Sequence, residues 1–199
     1  MISISDNNAD YTAAQIIRKQ GVCILPTDTV YAFACALSDK KAIEKMAQLK
    51  GVRLDNARFS IVCNDLSHLA TFTKPISTPY YRALKRHTPG MFTFLLEASS
   101  LVPKLFTSRR TTIGLRVPDH DFLQRVLTQL GEPLVVSSVH RKENAQDYPL
   151  EAIDFEEDWS NDVAEIFFED TSKMLLSTVV DFSGLNPVVA RQGAGEWNP

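Results

Sequence analysis

Apolar residues in the first two thirds of the chain switch between two rhythms. Ala13, Ala14, Ile16 and Ile17 recur at helical spacing, with Asp10 as a candidate N-cap and Gly21 as a stop, so the pattern predicts a helix over 11–20. Val22 to Leu25 then run apolar without a break, as in a strand covered on both faces. The helical rhythm returns over 39–50, where Ile43, Met46, Ala47 and Lys50 share one side and Gly51 ends it. A strand is predicted over 59–63, then a helix from Thr78-Pro79 to His87, with proline in its first turn. Strands over 92–96 and 112–117 follow, then a helix over 121–130, capped by Asp119 or His120 and stopped by Gly131. Beyond that glycine the rhythm becomes strand-like, over 134–139, 163–168, 177–182 and 187–191. The polar, acidic stretch 141–162 interrupts the series and reads as a loop or a small helical excursion. Helices alternating with strands early, and strands dominating late, predict an α/β (α+β) fold built on a twisted mixed β-sheet with flanking helices.

The length of 199 residues adds one expectation, a single domain over 1–199. Composition excludes more than it selects. Hydrophobic and charged fractions of 44% and 23% are ordinary for a globular protein, which argues against a disordered chain. No stretch approaches the roughly 20 apolar residues of a membrane span, and MISISDNNAD lacks the basic-then-apolar pattern of a secretory signal. Cys23, Cys35 and Cys63 are odd in number and lack CxxC spacing, which suggests reduced thiols, a cytoplasmic location and no metal site. Charge does change the picture. Residues 1–145 carry 19 Lys and Arg against 12 Asp and Glu, a balance of +7, and residues 146–199 carry 2 against 12, a balance of −10. Such a split is compatible with a basic face for a polyanion or with a merely dipolar surface.

The candidate chemistry lies at strand ends. Pro26-Thr27-Asp28-Thr29-Val30-Tyr31 follows the first buried strand. Lys50 and Arg53 close the second helix, and Arg58 enters the next strand. Thr112 and Arg116 sit in an otherwise apolar strand, Ser137-Ser138 in another, Ser177-Thr178 begin a third, and Arg191 ends the last. An arginine in a buried strand needs an anion. For Arg116 that anion is either a ligand or a carboxylate such as Asp119 or Asp181. Gathered at one end of a sheet, these cations and hydroxyls would make a pocket for negative charge. His140 beside Ser137-Ser138 does not make a serine hydrolase, because no GxSxG elbow occurs. With neither GxxxxGK[ST] nor GxGxxG in the chain, any nucleotide is held by side chains.

The segments PTDTVY, Lys50-Gly-Val-Arg53, TIGLRVPDH at 112–120, PLVVSSV at 133–139, STVVDFS at 177–183 and VARQG at 189–193 together resemble the YrdC/YciO superfamily. Residues 85–118 are most similar to its YciO-like branch. The resemblance implies a YrdC/RibB-like fold whose ligand cavity is lined by strand ends, without the second, C-terminal domain of longer members. It implies L-threonylcarbamoyladenylate synthase activity, in which L-threonine, bicarbonate and ATP yield threonylcarbamoyl-AMP and pyrophosphate for the t6A modification of tRNA. ATP would enter as a substrate with Mg²⁺, with no tightly bound cofactor, and tRNA or double-stranded RNA would be a further partner. By carry-over, Thr27, Thr29, Tyr31, Arg116 and Thr178 hold threonine. Lys50, Arg53, Arg58, Thr112, Ser138, Ser177 and Arg191 hold the nucleotide, with Lys50 and Arg53 as candidate catalytic cations. Four departures mark the chain. Ala32 stands at a family glycine, Val52 stretches Lys-x-Arg so that Arg53 or Arg58 takes the second place, Cys63 stands at a histidine, and His140 at an asparagine. They leave open an alternative: a YciO-like nucleotide- or double-stranded-RNA-binding protein without synthase activity, acting as an accessory factor in translation or ribosome assembly.

Overall fold

A computed structural model describes residues 1–19, 21–107, 111–142, 144, 151–169 and 175–198. In chain order its strands are β1 (Ile2–Ser3), β2 (Cys23–Leu25), β3 (Ala32–Ala36), β4 (Ser60–Val62), β5 (Phe92–Glu97), β6 (Thr112–Arg116), β7 (Leu134–Ser138), β8 (Glu165–Phe168), β9 (Thr178–Asp181) and β10 (Val188–Arg191). The helices are α1 (Ala9–Arg18), α2 (Lys40–Leu49), α3 (Leu66–Thr71), α4 (Thr78–Arg86), α5 (Lys104–Thr107), α6 (Asp121–Leu130) and α7 (Ala152–Trp159), with a 3₁₀ turn at Leu54–Asn56. The strands form one mixed sheet in the order β1-β8-β2-β3-β7-β4-β6-β5-β9-β10. Four contacts are parallel, β1–β8, β8–β2, β4–β6 and β5–β9. The other five are antiparallel.

The elements arise where the local chemistry favours them. The Asp39 carboxylate accepts the Ala42 N–H at 3.1 Å and starts α2. The His120 ring accepts the Leu123 N–H at 3.4 Å and starts α6, which ends at Gly131 with φ of 79°, a conformation open to glycine. Asp10 is not the cap of α1. Asn8, at φ 63°, takes that place, and Asp10 lies in the first turn, where its charge favours the helix dipole. Within the stretch 141–162 the helical excursion is α7.

Alternation along the strands sends side chains to two faces. Ile24, Phe33, Cys35, Ile61, Phe94 and Leu115 pack with Met46 of α2, Leu69 of α3, Leu84 of α4 and Phe155 of α7. Cys23, Leu25, Ala34, Val62, Leu134 and Val136 face α1 and α6, whose Ile17 and Val126 are fully buried. Ala34 and Ala36 of β3 pack in one buried cluster with Ala13, Ala14 and Ile17 of α1. The α1–α6 layer covers only part of that second face. One row of paired residues crosses it, from Ala34 through Val136, Ser60 and Gly114 to Leu95. The far part of this row floors a cavity.

Candidate active site

That cavity has a volume of about 600 Å³, the size of a small-molecule site. Its floor is the sheet face of Ser60, Thr93, Gly114, Val136 and Val179, and Phe59 and Phe106 wall it with rings. Gly114 keeps the floor low. A Cβ there would come within 2.8 Å of Ser60 Oγ and 3.2 Å of Thr93 Cγ2. Three guanidinium-bearing residues line it, Arg58, Arg116 and Arg191, together with the hydroxyls of Thr29, Thr112, Ser137, Ser138 and Ser177. No carboxylate does so among the described residues. The arrangement suits an anionic ligand with an apolar part. A magnesium ion would find no carboxylate ligand on this lining and would enter on the oxygens of a bound phosphate chain.

The segment PTDTVY is the connection between antiparallel β2 and β3, and it turns back on itself. Thr27 Oγ1 donates to the Val30 carbonyl at 2.8 Å and accepts the Thr29 N–H at 3.0 Å, so Thr27 shapes the loop and does not line the cavity. Thr29 does line it. Tyr31 falls on the opposite face from its neighbour Ala32, which lines the cavity: its ring packs on Phe155 at 4.4 Å, and its hydroxyl accepts the Glu169 N–H at 2.9 Å.

Arg116 is buried, and its partner is neither Asp119 nor Asp181. Its Nη2 donates to Asp28 Oδ1 at 2.7 Å and to Thr29 Oγ1 at 3.0 Å. Both choices drawn from the sequence are replaced by a carboxylate 88 positions away in the chain, and Arg116 lines the cavity while forming this buried pair. The second Asp28 oxygen accepts the Asp119 N–H at 3.1 Å. Burial pulls the guanidinium's pKa below its usual value and the Asp28 charge opposes the shift; arginine titrates so high that it stays a cation. Its buried Nε has no hydrogen-bond partner among the described residues.

Lys50, at the end of α2, donates from Nζ to the Ser138 carbonyl at 2.8 Å, and burial lowers its pKa from 10.5 to about 8. Lys50 itself is not on the cavity lining and bears on it only through the Ser138 carbonyl. Of the two arginines left open by the sequence, Arg58 lines the cavity. Arg53 is exposed, pairs with Asp55 at 3.2 Å, and lies on a separate surface groove beside Leu105. Ser177 and Thr178 part company by alternation. Ser177 lines the cavity, bonding to Thr93 through hydroxyls at 2.8 Å, and its carbonyl accepts from Arg191 Nη2 at 2.7 Å. Thr178 is fully buried on the other side, where its hydroxyl donates to the Gly195 carbonyl at 2.6 Å and accepts the Gly193 N–H at 2.9 Å.

The four departures divide likewise. Ala32 lines the cavity and Val52 is exposed. Cys63 is buried off the lining, with its thiol pushed up to about 12 by burial. His140 is buried and turned aside, its Nδ1 at 2.8 Å from the Arg141 carbonyl and its ring edge-on to Trp159. Sequence reasoning missed Asp28, Ser60 and Thr93 as site residues. The signal for the last two was a lone hydroxyl at alternate positions of an otherwise apolar strand.

The family described as "Telomere recombination" (Sua5/YciO/YrdC) matches residues 15–193. The uncharacterised protein YciO of Escherichia coli is 35% identical over 190 residues, 94% of this chain and 90% of that protein. Its crystal structure superposes with a TM-score of 0.88 over 98% of this chain and 95% of its own. A threonylcarbamoyl-AMP synthase of Nitrosococcus oceani is 33% identical over 129 residues, 65% of this chain and 69% of that enzyme. The crystal structure of Pyrococcus abyssi Sua5 complexed with L-threonine gives a TM-score of 0.86 at 25% identity, covering 96% of this chain and 57% of Sua5.

Proposed function

This chain belongs to the Sua5/YciO/YrdC family, and from that premise we propose that it is an ATP-dependent synthase of the threonylcarbamoyl-AMP type. The observation that carries the proposal is the cavity lining: Arg58, Arg116 and Arg191 with hydroxyls between them, and, among the described residues, no carboxylate on the lining itself, the Asp28 partner of Arg116 being buried off it. Such a lining suits two anions at once, an amino-acid carboxylate and a nucleoside triphosphate. Sua5, a structural neighbour, takes L-threonine. In this reading Arg116 and Thr29 receive the threonine end, and Arg58, Lys50 and Arg191 receive the phosphates. ATP arrives as its magnesium complex. The carbamate formed from threonine and bicarbonate attacks the α-phosphorus and pyrophosphate leaves. The protein's part is to hold both reactants together and to offset the charge that gathers on the phosphoryl oxygens.

A second reading is favoured by a specific observation. Arg53, which the family resemblance assigned to the nucleotide, lies outside the cavity, and His140, which stands at a family asparagine, is not on its lining. α4 meanwhile presents exposed Arg82, Lys85 and Arg86 around one surface groove. This reading is a nucleotide- and double-stranded-RNA-binding protein without synthase activity. Arg109-Arg110, which sequence reasoning would add to the basic face, lie outside the described residues.

Incubation with ATP, Mg²⁺, L-threonine and bicarbonate, read by mass spectrometry, separates the two. Threonylcarbamoyl-AMP with stoichiometric pyrophosphate is expected. ATP-induced thermal stabilisation without product in any threonine or bicarbonate range would favour the second reading.

A further inference from the structure

We propose that Asp28 is a positioning residue for the anion site: it fixes the guanidinium of Arg116 at the cavity wall and acts on ligands only through it. The inference rests on the reading of the cavity as an anion site and adds the residue that orients it. Asp28 is not on the lining, and its side chain is 1% exposed, whereas Arg116 is on the lining.

The geometry is over-determined. Asp28 Oδ1 takes the Arg116 Nη2 hydrogen bond at 2.7 Å, and Oδ2 takes the Asp119 backbone N–H at 3.1 Å. The carboxylate thus ties the loop between β2 and β3 to the turn that follows β6. Nη2 also donates to Thr29 Oγ1, so the same pair aims a hydroxyl of the lining. A buried ion pair is seldom worth more to stability than two apolar side chains of the same volume, so stability alone does not account for it. Arg116 is also not exhausted by its partner, since Nε has none among the described residues. A guanidinium held by a buried carboxylate and itself on the lining of a cavity is arranged for an incoming anion.

Substitution separates positioning from packing. In D28N one of the two acceptor oxygens becomes an NH₂ donor, so Arg116 and the Asp119 N–H no longer each have an oxygen of their own. The Nε–Hε resonance of Arg116, assigned by its loss in R116Q, is expected to be rigid on the picosecond–nanosecond scale in the wild type and mobile in D28N. By titration calorimetry below the melting range, L-threonine and MgATP serve as probes. D28N and R116Q should each weaken at least one of them tenfold or more, and D28N should add less than twofold in the R116Q background. The neutral pair of the double variant should melt closer to the wild type than either single variant.

A rigid Arg116 in D28N, or losses that add fully in the double variant, overturns the proposal. Should D28N fail to fold, D28E takes its place. It keeps the charge but displaces the carboxylate by one methylene, so unchanged affinity in D28E overturns the proposal and a tenfold loss supports it. A wild type that binds neither probe removes the synthase reading, and the resonance of Arg116 then decides the role of Asp28 by itself.

Discussion

Burial holds the Lys50 ammonium near pKa 8, while its Nζ gives a hydrogen bond to the Ser138 carbonyl at 2.8 Å. The sign of the resulting pH dependence follows from proton counting. Between about pH 8 and the ordinary lysine value of 10.5, the unfolded chain keeps a proton on Lys50 that the folded one has released. The unfolded state binds more protons there, so the contribution of Lys50 to stability rises with pH through that window and is least favourable below it. Lys50→Met removes the titration. The melting temperature of the variant minus that of the wild type should therefore be more positive at pH 7 than at pH 10.5, whatever its absolute sign, because other groups cancel in the difference. A constant difference across the window would mean that Lys50 is solvated and not held at the Ser138 carbonyl. The sequence pointed to Lys50 because a lysine closing a helix before Gly51 is visible in one dimension. It did not point to Asp28. That residue sits in a string of turn-forming polar residues, and the fact that gives it meaning, an arginine 88 positions on, is a property of the sheet.

β3 is the element that the pattern concealed. Its alanines are poor strand formers, and the run AFACA reads as helix-compatible until its partners on both sides are known. α7 was equally hard to place, because most of its stability is not local. Its Phe155 packs on Tyr31, and Trp159 meets Phe33 edge-on with centroids 4.9 Å apart. The Trp159 indole N–H donates to the His140 carbonyl at 3.0 Å. Arg141 pairs with Asp154, with Asp158 at 3.0 Å and with Glu157 at 3.8 Å. Lys142 reaches Asp162 at 2.5 Å and lies 5.0 Å from the Trp159 ring centroid. α7 thus grips the segment that leaves β7 directly after Ser137 and Ser138 of the cavity wall. Half-exposed ion pairs contribute about 0.2–1 kcal/mol each, so Arg141→Ala is expected to cost about 1–2 kcal/mol. The loss should be local. Amide exchange should quicken across 152–159 and at Val139, whose N–H bonds the Tyr31 carbonyl, while α1 and α6 keep their protection. Uniformly faster exchange throughout the molecule would show that α7 is an integral part of the global core and not a separately docked strap.

At the scale of the molecule, the charge split acquires a location. The basic excess of residues 1–145 includes the exposed face of α4, where Arg82, Lys85 and Arg86 surround one groove with Pro79. The acidic excess of residues 146–199 includes α7, whose Glu156 and Glu157 are exposed. A net charge of −3 would repel a polyanion at distances where only the total matters. Near the surface, within about 10 Å at 0.1 M salt, local groups take over and α4 becomes the preferred approach. Were double-stranded RNA the partner, three phosphates neutralised by α4 would make log affinity fall with log salt at a slope of about −2 to −3. The triple reversal R82E/K85E/R86E should flatten that slope and weaken binding alike for every RNA sequence, because phosphate contacts carry no sequence information. The same number of reversals on α1 and α2, at Arg18, Lys40 and Lys41, is the control, since these cations belong to the same basic excess but not to the groove. An equal loss from the control set would reduce the effect to net charge and sink the α4 face as an RNA site. Binding that ignores salt would do the same.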